Sequence, residues 1–524
     1  MPGIALAGDR AEVVIAHRRP VTAFVGRALK GPLNRSVCVT GFAEFQRVFG
    51  GLWQPSTLSY AVEQFFTSGG SQARIVRVAN GAQAPTLTLP AGAQALRLVG
   101  VHPGSREYLR ASVDYDGIAQ DDELFNLVLQ RVRSSGSERV EDQEIFRRAS
   151  VRADSGRFIA DLLLQSQLAR ALDPLPTQRP ERSGAGSGGC AVGYACSNAD
   201  GDDGGPLTDY DIIGSAVDGT GLFALQTDEF DFLCVPPLTR EQDVGPGILL
   251  VAARLCRERH ALLIVDPPAG WSGAHEAIEG MRKWPFRSDH AVMYYPRIHA
   301  LDRLRGRIET FASCGAAAGL LSRSEDTRPA GGAEEDWVLR PGLRPAIELS
   351  EAQRARLAQT GINTLVAARG SGAPPPGART LATGGNGCPD WKYLSARRLA
   401  LRIAASLERG TRWMVFEQNN PTTWARARSQ VDAYLETLAQ EGAFAGEARE
   451  ERYFVVCDER VNRPQSIAAG RINLLFGIAA RRAGEFDTWL VSHHPGASRA
   501  RPVSVNRLAT RPPGDWSVDT LIRN

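Results

Sequence analysis

Hydrophobic and polar positions along the chain fall into distinct textures. The apolar run VTAFVG is followed by Leu58, Ala61, Val62, Phe65 and Phe66, which recur at the spacing of one helix face. Gly69-Gly70 stands where that helix should end, before the strand-like ARIVRV. From about residue 85 to 180, short alternating pieces (LTLPAG, LRLVGV, LFNLVLQRVRS) are separated by turn residues, which predicts a largely β module. The middle of the chain changes again. FDFLCVPP, ILLVAARLCRERH, ALLIVDPPAG and AVMYYPRI alternate continuous apolar strands with a helix, the pattern of a sheet covered on both faces.

The last block reads as a helix over about 393–409, a strand WMVFE, a helix over about 421–441, and strands RYFVVCD, RINLLFGI and EFDTWLV. Asn420 can cap the second helix and Pro421 fits its first turn, while Gly442 lies past its end. Trp424, Arg428, Val431, Tyr434, Leu435 and Leu438 mark one face of it. Residues 1–20 suit an extended arm, and 174–205, rich in Gly, Pro, Ser and Asp, a mobile surface loop. Residues 493–524 are polar and Arg-rich with no core-forming period, which predicts a tail or clasp.

Length and charge narrow the class. At roughly 100–200 residues per domain, 524 residues imply several domains, and 43% hydrophobic with 23% charged residues excludes wholesale disorder. A net charge of +3 gives no basic excess for nucleic acid or a membrane surface. The only lysines are Lys30, Lys283 and Lys392. Codon usage and Arg-based interface ion pairs both account for that bias. Asp9 and Glu12 interrupt the amino terminus before any signal-like apolar core forms, and the longest apolar stretches, such as Ile248 to Ala253, are too short to span a bilayer. Assembly in the cytoplasm without membrane insertion is expected.

Catalytic signatures fail on inspection. The lysines are followed by Gly31, Trp284 and Tyr393, so no phosphate-binding P-loop exists. Gly270-Trp271-Ser272-Gly273 has the wrong spacing for a nucleophile elbow, and His275-Glu276 lacks the second His of a zinc peptidase helix. Asp266 ends an apolar strand where open α/β sheets place active-site groups, and with His260, His290 and Ser272 it admits a hydrolytic triad. Asp-Pro-Pro is equally a plain strand stop. Trp53, Trp271 and Trp391 fit a ligand platform or, more simply, core and subunit interface. Most cysteines (Cys38, Cys234, Cys256, Cys457) sit in apolar segments, whereas Cys190 and Cys196 share a Gly-rich stretch that allows a loop disulfide or a metal site, with no His nearby to complete a zinc set. No catalytic, cofactor or metal residues are assigned.

Several stretches, in order, resemble the sheath proteins of contractile tails: those of myophages, R-type bacteriocins and extracellular contractile injection systems. They are VTAFVGRALKGPLNRSVCVTGFAEFQRVFGG, LSYAVEQFFTSGGSQARIVRV, GTGLFALQTDEFDFLCVPP, RHALLIVDPPAGWS, HAVMYYPRI, GINTLVAARGSGAPPPGARTL, the segment from DWKYLSARRLALRIAASLERG through TRWMVFEQNNPTTWARARSQVDAYL, and AGRINLLFGIAARRAGEF. The resemblance covers about three quarters of the chain.

It implies an α/β (α+β) multidomain fold, with a discontinuous core from N- and C-terminal parts, a β-rich outer insertion and extended terminal arms. The expected divisions are a 1–20 arm, 21–84 as first core part, an 85–205 insertion, a 206–375 α/β domain, a 376–492 C-terminal core domain and a 493–524 extension. It also implies a structural subunit that stacks as hexameric rings in a helical lattice around an inner tube, meets baseplate and terminal cap proteins, and contracts without nucleotide, within a phage tail or a released particle. Arm strands exchanged between subunits would use Val13, Val14 and Ile15 at one end and Phe486, Trp489 and Val491 at the other. Arg426 and Arg428 are candidates for tube carboxylates, or else a solvated basic face. The lead containing His17-Arg18-Arg19-Pro20 is shorter than the family's usual arm and the carboxyl terminus longer. Two other readings stay open: an adaptor paralogue near baseplate or cap, and a hydrolase-like enzyme centred on Asp266.

Overall fold

The computed structural model describes residues 19–503 apart from 120–121, 135, 185–192, 198–200, 285, 328–337, 368–377 and 384–388. The first part contains β1 (Thr22–Gly26), β2 (Ser36–Val39), α1 (Phe42–Phe49), α2 (Thr57–Ser68) and β3 (Ala73–Arg77). The Ser56 hydroxyl accepts from the Ser59 amide (3.0 Å) to start α2, and Gly69, at φ 112°, ends it in the left-handed region that suits glycine. The chain then leaves to build a separate β unit from β4 (Thr86–Ala91), β5 (Gln94–Gly100), β6 (Tyr108–Asp114), β7 (Phe125–Val132), β8 (Val140–Ala149), α3 (Ile159–Leu164), β9 (Ala169–Leu172) and β10 (Ala195–Cys196). Its two antiparallel sheets, ordered β10-β6-β7-β8 and β4-β5-β9, enclose their own core of residues such as Leu89, Leu98, Phe125 and Leu127.

After that excursion come α4 (Asp209–Ile213), β11 (Phe232–Cys234), α5 (Pro246–Arg259), β12 (Leu262–Val265), α6 (Ala274–Arg282), β13 (Ala291–Tyr295), β14 (Ile298–Asp302), β15 (Arg307–Phe311), α7 (Cys314–Thr327), β16 (Arg344–Pro345), α8 (Glu351–Gln359) and β17 (Ile362–Thr364). One seven-stranded sheet, ordered β17-β13-β12-β11-β1-β3-β2, joins strands from both sides of the excursion and is parallel except for β2. Both faces are covered, as uninterrupted apolar strands require. Phe24, Phe232 and Ile264 point into one core; Ala23, Leu233 and Leu263 point into the other.

The C-terminal block supplies α9 (Leu394–Gly410), α10 (Pro421–Gln440), α11 (Arg449–Arg452), β18 (Tyr453–Val456), α12 (Pro464–Ala468), β19 (Ile472–Ile478), β20 (Asp487–His494) and β21 (Ala497–Pro502). Its antiparallel sheet is ordered β18-β19-β20-β21. One face of it, including Leu474, Phe476 and Trp489, shares a continuous core with α9, α10 and one side of the seven-stranded sheet.

Two expectations fail here. WMVFE is a 3-10 turn, Arg412–Phe416, in which only Met414 is buried, so there is no alternating face for a sheet to hold. The segment after 492 is not featureless: β20 runs to His494, and Ala497–Pro502 pair with its Trp489–His494 stretch. The arm 1–18 and the tail from 504 lie outside the described residues.

The closest helix contact sets a sharp test. Replacing an interior helical glycine by alanine ordinarily stabilises by about 1 kcal/mol, but a Cβ on Gly319 of α7 would collide with the Phe65 carbonyl oxygen and the Ser68 side chain of α2. Gly319→Ala is therefore expected to destabilise by about 1–3 kcal/mol. A urea midpoint that is unchanged or raised would contradict the contact.

Candidate functional site

Strand order reverses between β1 and β11, the place where an open α/β sheet usually takes a ligand beyond the carboxyl ends of its strands. Here the chain's own side chains fill it. Thr57, at the start of α2, donates to the Pro237 carbonyl (2.5 Å), and Ser56 donates to the Arg27 carbonyl. The Arg240 guanidinium lies between the Tyr60 and Phe311 rings (4.9 and 4.8 Å). Asp302 accepts from Arg240 (2.7 Å), Gln54 (3.0 Å) and Tyr60 (3.1 Å). Although burial opposes its charge, these donors hold the Asp302 carboxyl at about 2. The remaining cavity is about 20 Å³, room for a water.

Asp266 is occupied as well. Its Oδ1 accepts from the Ser313 and Cys314 amides (2.8 Å each), capping the start of α7, and burial raises its pKa. His260 and His290 precede β12 and β13, whereas Asp266 follows β12. The length of β12, roughly 13 Å at 3.3 Å per residue, therefore separates them, and the triad does not assemble.

Those histidines instead build the joint between the two sheets. Arg397 of α9 is fully buried and donates to Asp289 Oδ2 (2.7 Å) and His290 Nε2 (2.6 Å), with its guanidinium 4.3 Å from the Trp391 ring centre. Arg397 only donates, so His290 Nε2 must be the unprotonated nitrogen, and Nδ1–H donates to the Ala261 carbonyl (3.0 Å). Burial and then the Arg397 charge push the His290 pKa down to about 3. Alongside, Glu408 of α9 accepts from the Ala500 amide of β21 (2.8 Å) and contacts His260 Nε2 (2.9 Å). His493 joins the Thr411 and Ser498 hydroxyls (2.8 Å each). Arg397 falls in the apolar stripe Leu394, Leu401 and Ala404 of α9. A charge on such an apolar stripe is the signal in the sequence for a buried, paired arginine.

Trp489 and Val491 lie on β20, buried and paired on both sides within the chain, by β19 and β21. The expectation that they form an exchanged strand therefore needs correction: both edges of β20 are already taken, and the outer strands of this sheet are β18 and β21, of which β21 has no further strand partner among the described residues. Phe486, half-buried, packs edge-on against Phe454 (5.0 Å) just before β20. Val13, Val14 and Ile15 lie outside the described residues. Arg426 and Arg428 are both exposed on α10, but Arg426 is engaged by Glu417 (3.4 Å) and stacks over Trp413 (4.3 Å). Arg428 lines an open cleft of about 420 Å³ with Asp432, Arg449 and Tyr453. Cys196 is disulfide-bonded, and Cys190 lies outside the described residues.

The joint makes stability depend on pH. A free imidazole takes its proton near 6.5, but His290 in the fold resists protonation until about 3. The unfolded chain thus binds more protons across that interval, and stability present above about 6.5 is lost progressively as pH falls towards 3. His493 and His102, each lowered to about 4 chiefly by burial, act in the same direction. His290→Gln keeps a donor and an acceptor without titrating. Its urea midpoint should fall less steeply between pH 6.5 and 4 than the wild type's, and equal slopes would refute the assignment. Arg397→Met strips a buried pair of one partner and should cost about 3 kcal/mol or more at pH 7; a wild-type midpoint would show that the pair is idle.

Comparison with known proteins gives a coherent result. Residues 388–488 match the phage tail sheath C-terminal domain. Over 267 residues the chain is 25% identical to the tail sheath protein of Enterobacteria phage T4, a match covering 49% of this chain and 36% of that longer relative. The structure resembles the sheath tail protein of Listeria innocua (TM-score 0.62, 12% identity, 92% of this chain and 96% of the other). It also resembles the sheath of an extracellular contractile injection system in its contracted state (TM-score 0.53, 15% identity, 93% and 95%). The C-terminal block thus matches the phage tail sheath C-terminal domain in sequence, and the described residues share the fold of contractile sheath proteins.

Proposed function

We propose that the chain is a structural sheath subunit, which polymerises around an inner tube and drives it by changing from an extended to a shorter lattice. The observation that carries this reading is the C-terminal unit: a sheet whose β21 edge is open among the described residues, anchored to the seven-stranded sheet through the buried Arg397 joint. Free edges accept strands from neighbouring chains, and the anchor transmits the resulting force to the rest of the molecule. The filled strand-order crevice and the capping role of Asp266 favour a structural over a catalytic part. Rings of six, baseplate and cap partners, assembly in the cytoplasm and a place in a phage tail or released particle follow from the same reading. Contact of Arg428 with tube carboxylates is its least constrained element, since Arg426 already has Glu417.

Negative-stain microscopy of the chain expressed with its tube protein tests it. Striated tubes or rings are expected, and a persistent monomer with hydrolase activity would overturn the proposal. Removing residues 1–20 should abolish tubes and leave a folded, soluble chain; unchanged tubes would show that the arm plays no part in assembly.

A further inference from the structure

Apart from Val338, the large exposed apolar side chains on the α/β half fall in two places among the described residues. The first is the tip of the β14–β15 hairpin. Leu301 and Ile308 (63% exposed) face each other across the strands, and Leu304 sits in the turn between them. β16 pairs with β14 only at Ile298 and His299, so among the described residues no strand covers the tip. Arg303, Arg305 and Arg307 ring it. Their guanidinium groups are outermost, while their carboxylate partners, Glu63 and Glu309, are only 15% and 11% exposed. The tip therefore presents an apolar centre with a positive rim.

The second patch has the opposite rim. Tyr210 on α4, Val217 (96% exposed) in the turn after it and Leu250 on α5 are all open to solvent, and α4 packs on α5. Asp209, Asp211 and Asp218 flank them. Isolated exposed apolar residues need no explanation, but clustered ones with a charged rim mark contact sites. The hairpin roots, Ile298 and Phe311, belong to the core on one face of the seven-stranded sheet, whereas Ile212 of α4 and Ile248 of α5 belong to the core on the other face. The two patches thus lie on opposite sides of one chain and cannot cover each other within it.

We propose that the hairpin tip of one copy docks on the α4–α5 corner of the next, with Leu301, Leu304 and Ile308 against Tyr210, Val217 and Leu250 and the arginine rim against the aspartate rim. The contact uses two different surfaces on opposite sides, so it is head-to-tail and repeats along an open assembly rather than closing a pair. It deepens the sheath reading, on which its lattice role rests, by naming a contact that involves neither arm.

The test uses the full-length chain, alone in sedimentation velocity and together with its tube protein in microscopy. Ile308→Asp and Val217→Asp should each weaken self-association roughly 10-fold or more. Arg303→Asp/Arg305→Asp and Asp211→Arg/Asp218→Arg should each weaken it alone and restore it when the two variants are mixed, since both contacts between unlike variants then pair opposite rims in an alternating assembly. Circular dichroism and urea midpoints check that each variant is folded. Tubes from the wild type with unchanged association in every variant would overturn the contact and leave the sheath reading standing. Patch-dependent association without tubes would support the contact and remove the sheath reading. A wild type that stays monomeric under all conditions would overturn both.

Discussion

The structure turns on one buried ion pair. Arg397 reaches from α9 into the seam between the two sheets, and its charge is tolerated there because Asp289, His290 and the Trp391 ring surround it. A buried guanidinium is costly unless its partners are held in place, so each side of the seam fixes the other. The neutral form of His290, its Nδ1–H on the Ala261 carbonyl, and the adjoining Glu408 that secures β21 all depend on α9 being seated. The continuous hydrophobic core along the same seam supplies most of the cohesion; the ion pair fixes its register.

From this follows a division of labour. The seven-stranded sheet spends its usual ligand crevice on internal packing through Arg240, Tyr60, Phe311 and Asp302. Among the described residues it leaves open the β21 edge of the C-terminal sheet, the hairpin tip and the α4–α5 corner. The interior is committed to holding those edges and patches in fixed relation.

Much of the architecture was legible because its signals are local. Asn420 followed by Pro421 marks a helix start by capping chemistry alone, and the Asn420 side-chain Oδ1 does accept from the Thr423 amide (2.9 Å). Continuous apolar strands such as ALLIV announce a sheet buried on both faces, and alternation announces the β excursion. What stayed hidden is set by tertiary partners. ASRARP has no apolar run, yet becomes β21 because β20 offers an open edge and Glu408 takes the Ala500 amide. WMVFE has strand-forming residues but no neighbouring strand to pair with, so it closes into a 3-10 turn. Trp489 and Val491 read as available for exchange because their sequence neighbourhood offers little to pack on; the neighbouring β19 pairs with them and α9, far back along the chain, shares their core. Arg426 and Arg428 read alike in sequence, and only the fold separates one engaged by Glu417 from one lining a cleft.

The central claim is that the two sheets form one mechanical part, and native-state hydrogen exchange measures this directly. Amides of α9 and β20 should exchange with the same opening free energy and denaturant dependence as those of β12 and β13, as one cooperative unit. An opening of α9 and β20 several kcal/mol easier than that of β12 and β13 would mean that the seam parts on its own, and would contradict the account.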